Sequence, residues 1–150
     1  MILIAHRGNR KGIQNNNENH PEYLLSAINE GFDVEIDVRV LNNKIFFGHD
    51  EAQYEIKIEW INQHLSNCWF HAKNLECLLF FNNYKFRINK KINFFWHDKD
   101  SYTLTSQGFI WAYPGEKGGE KSIAVLPEIN KTNIKKFEGI CSDFIAAYKL

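Results

Sequence analysis

Hydrophobic and polar positions alternate along this chain in two rhythms, one helical and one of strands, and the two rhythms take turns. Ile2 to Ala5 is a short apolar run closed by His6-Arg7, the pattern of a buried strand whose carboxyl end carries charge. Residues 8–19, rich in Gly and Asn, read as a loop. Pro21 suits the first position of a helix; Leu24, Leu25 and Ile28 give that helix an apolar face, and Gly31 is placed to stop it. From Phe32 to Val40 the pattern changes, with Val34, Ile36 and Val38 on one face and Asp33, Glu35, Asp37 and Arg39 on the other. Asn42-Asn43 marks a turn, and Lys44 to Phe47 returns as a second arm that delivers His49.

Ile58, Ile61 and Leu65 have helical spacing, Cys68 to Ala72 reads as a strand, and Leu75 to Phe81 as an apolar helix. Ile92 to Trp96, Phe109 to Ala112, Ser122 to Leu126 and Gly139 to Cys141 read as further strands. Asn130 is placed to cap a short helix through Ile134 and Phe137. Strands alternating with short helices imply parallel pairing, and hence an α/β barrel or an open α/β sheet.

Composition narrows the class. At 150 residues, 44% of them hydrophobic, the chain suffices for one domain spanning 1–150 and is too short for two. Lys+Arg and Asp+Glu balance at 18 each, so no bulk positive field draws the protein onto nucleic acid or an anionic membrane, and any phosphate recognition must be local. Met1 to Ala5 has the pattern of neither a signal segment nor a spanning helix, so a cytoplasmic protein with no membrane partner is expected. Cys68, Cys77 and Cys141 form no CxxC, and their odd number fits a reducing compartment, with all three as buried small hydrophobes.

Glu35 and Asp37, two apart on a strand, project from one side and can grip one hard cation such as Mg²⁺ or Ca²⁺. Taken alone, the same pattern more readily describes a solvated strand face, since Asp33 and Arg39 continue it. His6 and His49 each end a predicted strand beside a charged residue, and imidazole suits both the base and the acid that phosphodiester cleavage needs. Arg7 offers a planar fork for phosphate oxygens. The Gly8 to Gly12 loop is no P-loop, because no GK[ST] follows it. His97 emerges after an apolar run, where barrel enzymes build their sites, and is a candidate substrate contact. Trp111 and Tyr113 alternate onto one face as an aromatic floor for a sugar or glycerol moiety, or as core. Lys117 to Lys121 reads as a flexible loop near the same rim.

The series Ala5-His6-Arg7-Gly8, Glu18-Asn19, Glu35-x-Asp37-Val38 and His49-Asp50 resembles the motifs of the glycerophosphodiester phosphodiesterase family, within the phospholipase C-like phosphodiesterases, in order and at similar spacing. Gly139-Ile140-Cys141-Ser142-Asp143-Phe144 resembles that family's final barrel strand, while the middle of the chain is looser. The resemblance implies His6 and His49 as acid/base pair, Arg7 as phosphate ligand, Glu35 and Asp37 as metal ligands, and Glu18 and Asn19 on the metal or one contact behind it. It also implies one divalent metal ion and a small phosphodiester substrate.

Two departures from the family pattern stand out. Where a Glu-x-Lys should supply a third carboxylate, this chain has His71-Ala72-Lys73, so Lys73 matches and the glutamate does not. A nitrogen ligand from His71 would tilt the site from Mg²⁺ or Ca²⁺ toward Mn²⁺ or Zn²⁺; otherwise water or Glu18 is the third ligand and His71 contacts substrate. Length is the second departure, because a full (β/α)₈ barrel runs to about 250 residues. The expected fold is therefore a reduced TIM-like barrel of six to eight mostly parallel strands with short or missing helices. Such trimming leaves an open cleft, or a site completed by a second copy in a homo-oligomer. The expected activity is metal-dependent hydrolysis of a glycerophosphodiester or a sugar- or glycerol-phosphate ester, with Arg7, Lys73, His71, His97 and Trp111 around the substrate. The alternatives are a lyase that stops at a cyclic phosphate and a degenerate barrel that binds a phospho-ligand without turnover.

Overall fold

The structure, a computed structural model, describes residues 1–88 and 90–149, apart from the side chains at 86 and 87. Ten strands lie in one sheet: β1 (Ile2–His6), β2 (Asp33–Leu41), β3 (Lys44–Phe47), β4 (Tyr54–Ile56), β5 (Cys68–Ala72), β6 (Asn93–Phe95), β7 (Tyr102–Leu104), β8 (Ile110–Ala112), β9 (Ser122–Val125) and β10 (Gly139–Ser142). Four helices join them: α1 (Pro21–Asn29), α2 (Ile58–His64), α3 (Leu75–Ile88) and the four-residue α4 (Pro127–Asn130). A parallel path runs β6-β5-β2-β1-β10-β9-β8, and β3, β4 and β7 are attached antiparallel.

The sheet curls until its ends approach. Ser106 N donates to Phe94 O at 2.9 Å and Thr103 Oγ1 to Trp96 O at 2.8 Å, so the segment around β7 lies against β6 on one side while pairing with β8 on the other. The result is a curled, barrel-like α/β fold with few helices.

Period-two patterning decides which side chains enter the curl. Val34, Ile36 and Val38 face outward into a core shared with Leu24 and Ala27 of α1, Ile61 of α2 and Cys77 and Phe81 of α3. The inner face holds Ile4, Trp69, Phe95, Trp111, Ile123, Val125 and Cys141, a plug with ring centroids of Phe95 and Trp111 4.5 Å apart. Glu35 and Asp37 share that inner side, 1% and 0% exposed, so the solvated-face alternative does not hold for them.

Several local expectations are corrected. Among the described residues seven strands make the parallel path, and three antiparallel ones bring the total to ten; of these the three-residue β4 and β7 are too short to declare a rhythm in the sequence. The helix expected to start at Asn130 is absent: Pro127 starts α4 instead, Lys131 in the left-handed region (φ 48°) ends it, and Asn133 caps a separate 3₁₀ turn at Ile134–Lys136. The Lys117–Lys121 loop lies away from the rim on which the histidines gather. Gly119 N donates to Ser122 Oγ at the start of β9, and Lys121 N to Glu138 Oε2 just before β10, so this loop packs at the amino ends of the strands.

Candidate functional site

Carboxyl ends of the parallel strands gather the charged side chains, and backbone geometry turns them inward. Arg7 follows β1 in the left-handed region (φ 51°), a conformation that costs a non-glycine residue about 1 kcal/mol or more and is kept where the surroundings enforce it. The chain reverses there, with Asn9 N donating to His6 O at 2.8 Å. Gly8 completes the turn at φ 87°, where a Cβ would meet Tyr23 Cδ1 at 2.9 Å.

Around Asp37 the network is dense. Arg7 Nε lies 2.9 Å from Asp37 Oδ2, and Arg7 Nη1 donates to Glu18 Oε2 at 3.1 Å. Asn19 clasps Asp37 twice, its Nδ2 donating to Oδ2 and its Oδ1 accepting from the Asp37 backbone N–H, both at 3.0 Å. Asn19 manages this from the left-handed region (φ 61°), which asparagine tolerates well. His71 Nδ1 sits between two carboxylates, 3.2 Å from Asp37 Oδ1 and 3.3 Å from Glu35 Oε1, and its Nε2 bonds His97 O at 2.8 Å. Lys73 Nζ is 4.0 Å from Asp37 Oδ1.

His6 anchors a second arm of the same network. Its Nδ1 is 2.7 Å from Asp143 Oδ1, and its Nε2 is 3.9 Å from Glu35 Oε2. Donation from Nδ1 to Asp143 leaves Nε2 as the nitrogen free for proton transfer. Asn9, wholly buried, ties the two arms: its Nδ2 donates to Glu18 Oε1 at 2.7 Å and to Asp143 Oδ1 at 2.8 Å.

Electrostatics follow from these contacts. Burial opposes the charged form of His71, yet Asp37 and Glu35 outweigh it and push its pKa up to about 9. Burial likewise disfavours charge on His6, but the Asp143 hydrogen bond and Glu35 raise its pKa. Asp37, despite a desolvation that would raise it, is held well below the carboxylate range by His71 and Arg7. Asp143 is lowered in the same way, chiefly by His6. With both histidines protonated, the four acids Glu18, Glu35, Asp37 and Asp143 face four cations, Arg7, His6, His71 and Lys73.

Glu35, Asp37 and His71 also offer ligand atoms all within 4.8 Å of one another. Asp37 Oδ1 is buried and faces only the cationic groups of His71 at 3.2 Å and Lys73 at 4.0 Å, a place that suits positive charge better than solvent. Two carboxylate oxygens and an imidazole nitrogen fit a divalent ion such as Mn²⁺ or Zn²⁺, provided His71 gives up its proton. Such an ion would draw charge from a bound phosphoryl group.

The remaining expected residues stand around this cluster without bonding its carboxylates. His49 pairs with Asp50 at 2.7 Å and is held in place by a bond from Arg39 to its backbone carbonyl. His97 is buried, with neither ring nitrogen partnered, and burial lowers its pKa. Trp111 belongs to the inner apolar plug and also lines the cavity over His6 and His71.

Two site residues escaped the sequence reasoning. Asn9 carried no signal beyond its place after Gly8. Asp143 was legible only as part of the stretch that resembles a final barrel strand, and its observed partners are His6 and Asn9. Comparison with family models, with curated proteins and with solved structures finds no match to this chain.

Proposed function

We propose that the protein is a divalent-metal-dependent hydrolase of small phosphodiesters, built on a reduced TIM-like barrel. The observation that carries this is the convergence, at the carboxyl ends of parallel strands, of an Asp143-backed histidine, an arginine and the Glu35-Asp37-His71 ligand set. Barrel enzymes place their chemistry on that rim.

Each residue has a role that follows from its partners. Arg7, fixed by Glu18 and Asp37, binds a phosphate oxygen with the donors those acids leave free. Asp143 fixes the tautomer of His6, so Nε2 takes or gives the proton at the nucleophile or leaving oxygen. His49, which lines the same cavity as His6, is the partner that handles the second proton. His97 adds an imidazole to the wall of that cavity, and Lys73 adds positive charge behind Asp37, 4.0 Å from its Oδ1. A lyase that stops at the cyclic phosphate uses the same two proton transfers and differs only in whether water completes the cycle.

One feature favours a non-catalytic phosphate binder instead. His71 already supplies positive charge between Glu35 and Asp37 where the family pattern has a third glutamate. The test is hydrolysis of bis(p-nitrophenyl) phosphate and glycerophosphodiesters after EDTA treatment, with Mg²⁺, Ca²⁺, Mn²⁺ or Zn²⁺ added back. Metal-restored turnover that disappears in Asp37→Asn supports the hydrolase, and release of a cyclic product identifies the lyase. Phosphate binding without turnover on any substrate would leave the binder.

A further inference from the structure

The cavity space at this rim is divided into two lobes of opposite character. Arg7 and His49 line both lobes and so mark their boundary. On one side lies a space of about 440 Å³ walled by Asn15, Glu18, Asp50, Glu51 and Gln53, every one an amide or a carboxylate. On the other, beside His6 and His71, lies a space of about 280 Å³ walled by Trp111, Tyr113, Pro114, Leu126 and Ile129.

These walls reward different alcohols. An amine or hydroxyls in the first lobe would meet acceptors on several sides, and the carboxylates of Asp50 and Glu51 add negative charge for a cation. The same group laid against Trp111, Pro114, Leu126 and Ile129 would lose water to an aromatic and aliphatic surface and recover few hydrogen bonds there. An apolar arm gains there by the area it removes from water. His97 adds to that lobe one imidazole whose two ring nitrogens have no partner.

Resting on the phosphodiesterase reading, we propose that the substrate is a phosphodiester with two unlike arms: the phosphate sits at Arg7 and His49, an amine- or hydroxyl-bearing alcohol fills the lobe of Glu18, Asp50 and Glu51, and an apolar alcohol fills the lobe of Trp111 and Ile129. Hydrolysis adds water across one P–O bond, yielding an alcohol and a phosphomonoester without any further reactant.

Three diesters with alkyl leaving groups of similar reactivity test this: hexyl phosphorylethanolamine, dihexyl phosphate and glycerophosphoethanolamine, with products followed by mass spectrometry. Hexyl phosphorylethanolamine should exceed both others in kcat/KM by about tenfold or more, the scale on which a pocket separates substrates by apolar fit. Ile129 is 62% exposed, so Ile129→Asp is tolerated by the fold and should erase the advantage over glycerophosphoethanolamine. Glu51→Lys should erase the advantage over dihexyl phosphate. Turnover of all three at equal rates would overturn the two-arm substrate and leave the hydrolase standing. No turnover of these three or of bis(p-nitrophenyl) phosphate would overturn both.

Discussion

The stretch before Asn89 and the stretch after it build the same sheet with unequal support. In the first, α1 leads from β1 into β2, α2 into β5, and α3 out toward β6; their apolar faces bury Leu24, Ala27, Ile61, Cys77 and Phe81 against the outside of the strands. In the second, β6, β7, β8 and β9 follow one another without a helix, and α4 spans four residues. Tyr102, Leu104 and Ile110 consequently stay exposed on the outer face of β7 and β8. Chemistry divides along the same line. Arg7, Glu18, Asn19, Glu35, Asp37, His71 and Lys73 all belong to the helix-backed stretch, and the bare one contributes Asp143, His97 and an aromatic wall. Holding several buried charges within bonding distance needs strands that cannot shift, whereas an apolar wall tolerates small displacement.

Turnover gives the largest contrast between the two. His6→Ala should lower kcat by about 10²–10⁴-fold, the worth of a positioned acid or base, and should cost stability too, since it leaves Asp143 without its ionic partner. Trp111→Ala should act through KM instead of kcat, and through stability, because its ring packs against Phe95 and Trp69. An unchanged kcat in His6→Ala would remove this histidine from the chemistry.

Stability should show the next largest contrast. Phe81 is fully buried and stacks on Phe70 at 4.8 Å and on Phe94 at 5.7 Å, joining α3 to β5 and β6. Phe81→Ala should cost about 3–5 kcal/mol in urea unfolding. A loss below about 1 kcal/mol would mean that α3 does not brace the sheet.

A smaller effect concerns pH in metal-free protein. The raised pKa of His71 makes its contribution fully present below its ordinary value of 6.5 and lost as pH rises through about 9. His6, also raised, acts in the same direction. Asp37 and Asp143, held below 3.8, contribute above that value and lose their contribution on acidification. Thermal stability should therefore be greatest between roughly pH 4.5 and 6.5 and decline toward pH 9, and His71→Gln should flatten the alkaline decline. Mn²⁺ or Zn²⁺ must displace the His71 proton, so binding heats measured in two buffers of different ionisation enthalpy should report about one proton released per ion. Binding without proton release would place the ion elsewhere.

Sequence patterning revealed the helix-backed stretch far better than the bare one. Leu24, Leu25 and Ile28 announced α1, and Glu35-x-Asp37 announced the inward carboxylates, because period and charge coincide there. What it left undecided was whether the polar side of β2 is wet or dry: alternation defines two faces, and only the curl of the sheet makes one of them an interior. Asn9 had no periodic signature at all, since its burial comes from the loop folding back so that Gly12 N reaches Asp143 O at 2.8 Å. In the bare stretch, β7 pairs through only three residues, and Asn130 and Asn133 compete as caps within one short segment, so local pattern underdetermined the outcome.

The smallest effect probes the bare face itself. Leu104 is 68% exposed on β7, with Tyr102 and Ile110 beside it around a shallow apolar groove that also touches Gly118 and Gly119. A side chain already in water gives up little when shortened, so Leu104→Ser should change unfolding free energy by less than about 0.5 kcal/mol. The contrast with Phe81→Ala then measures directly what helix cover is worth to each half of the sheet. A loss near 2 kcal/mol that grows with protein concentration would mean that the face is covered by a second copy in solution, since a monomer cannot make its stability depend on its own concentration.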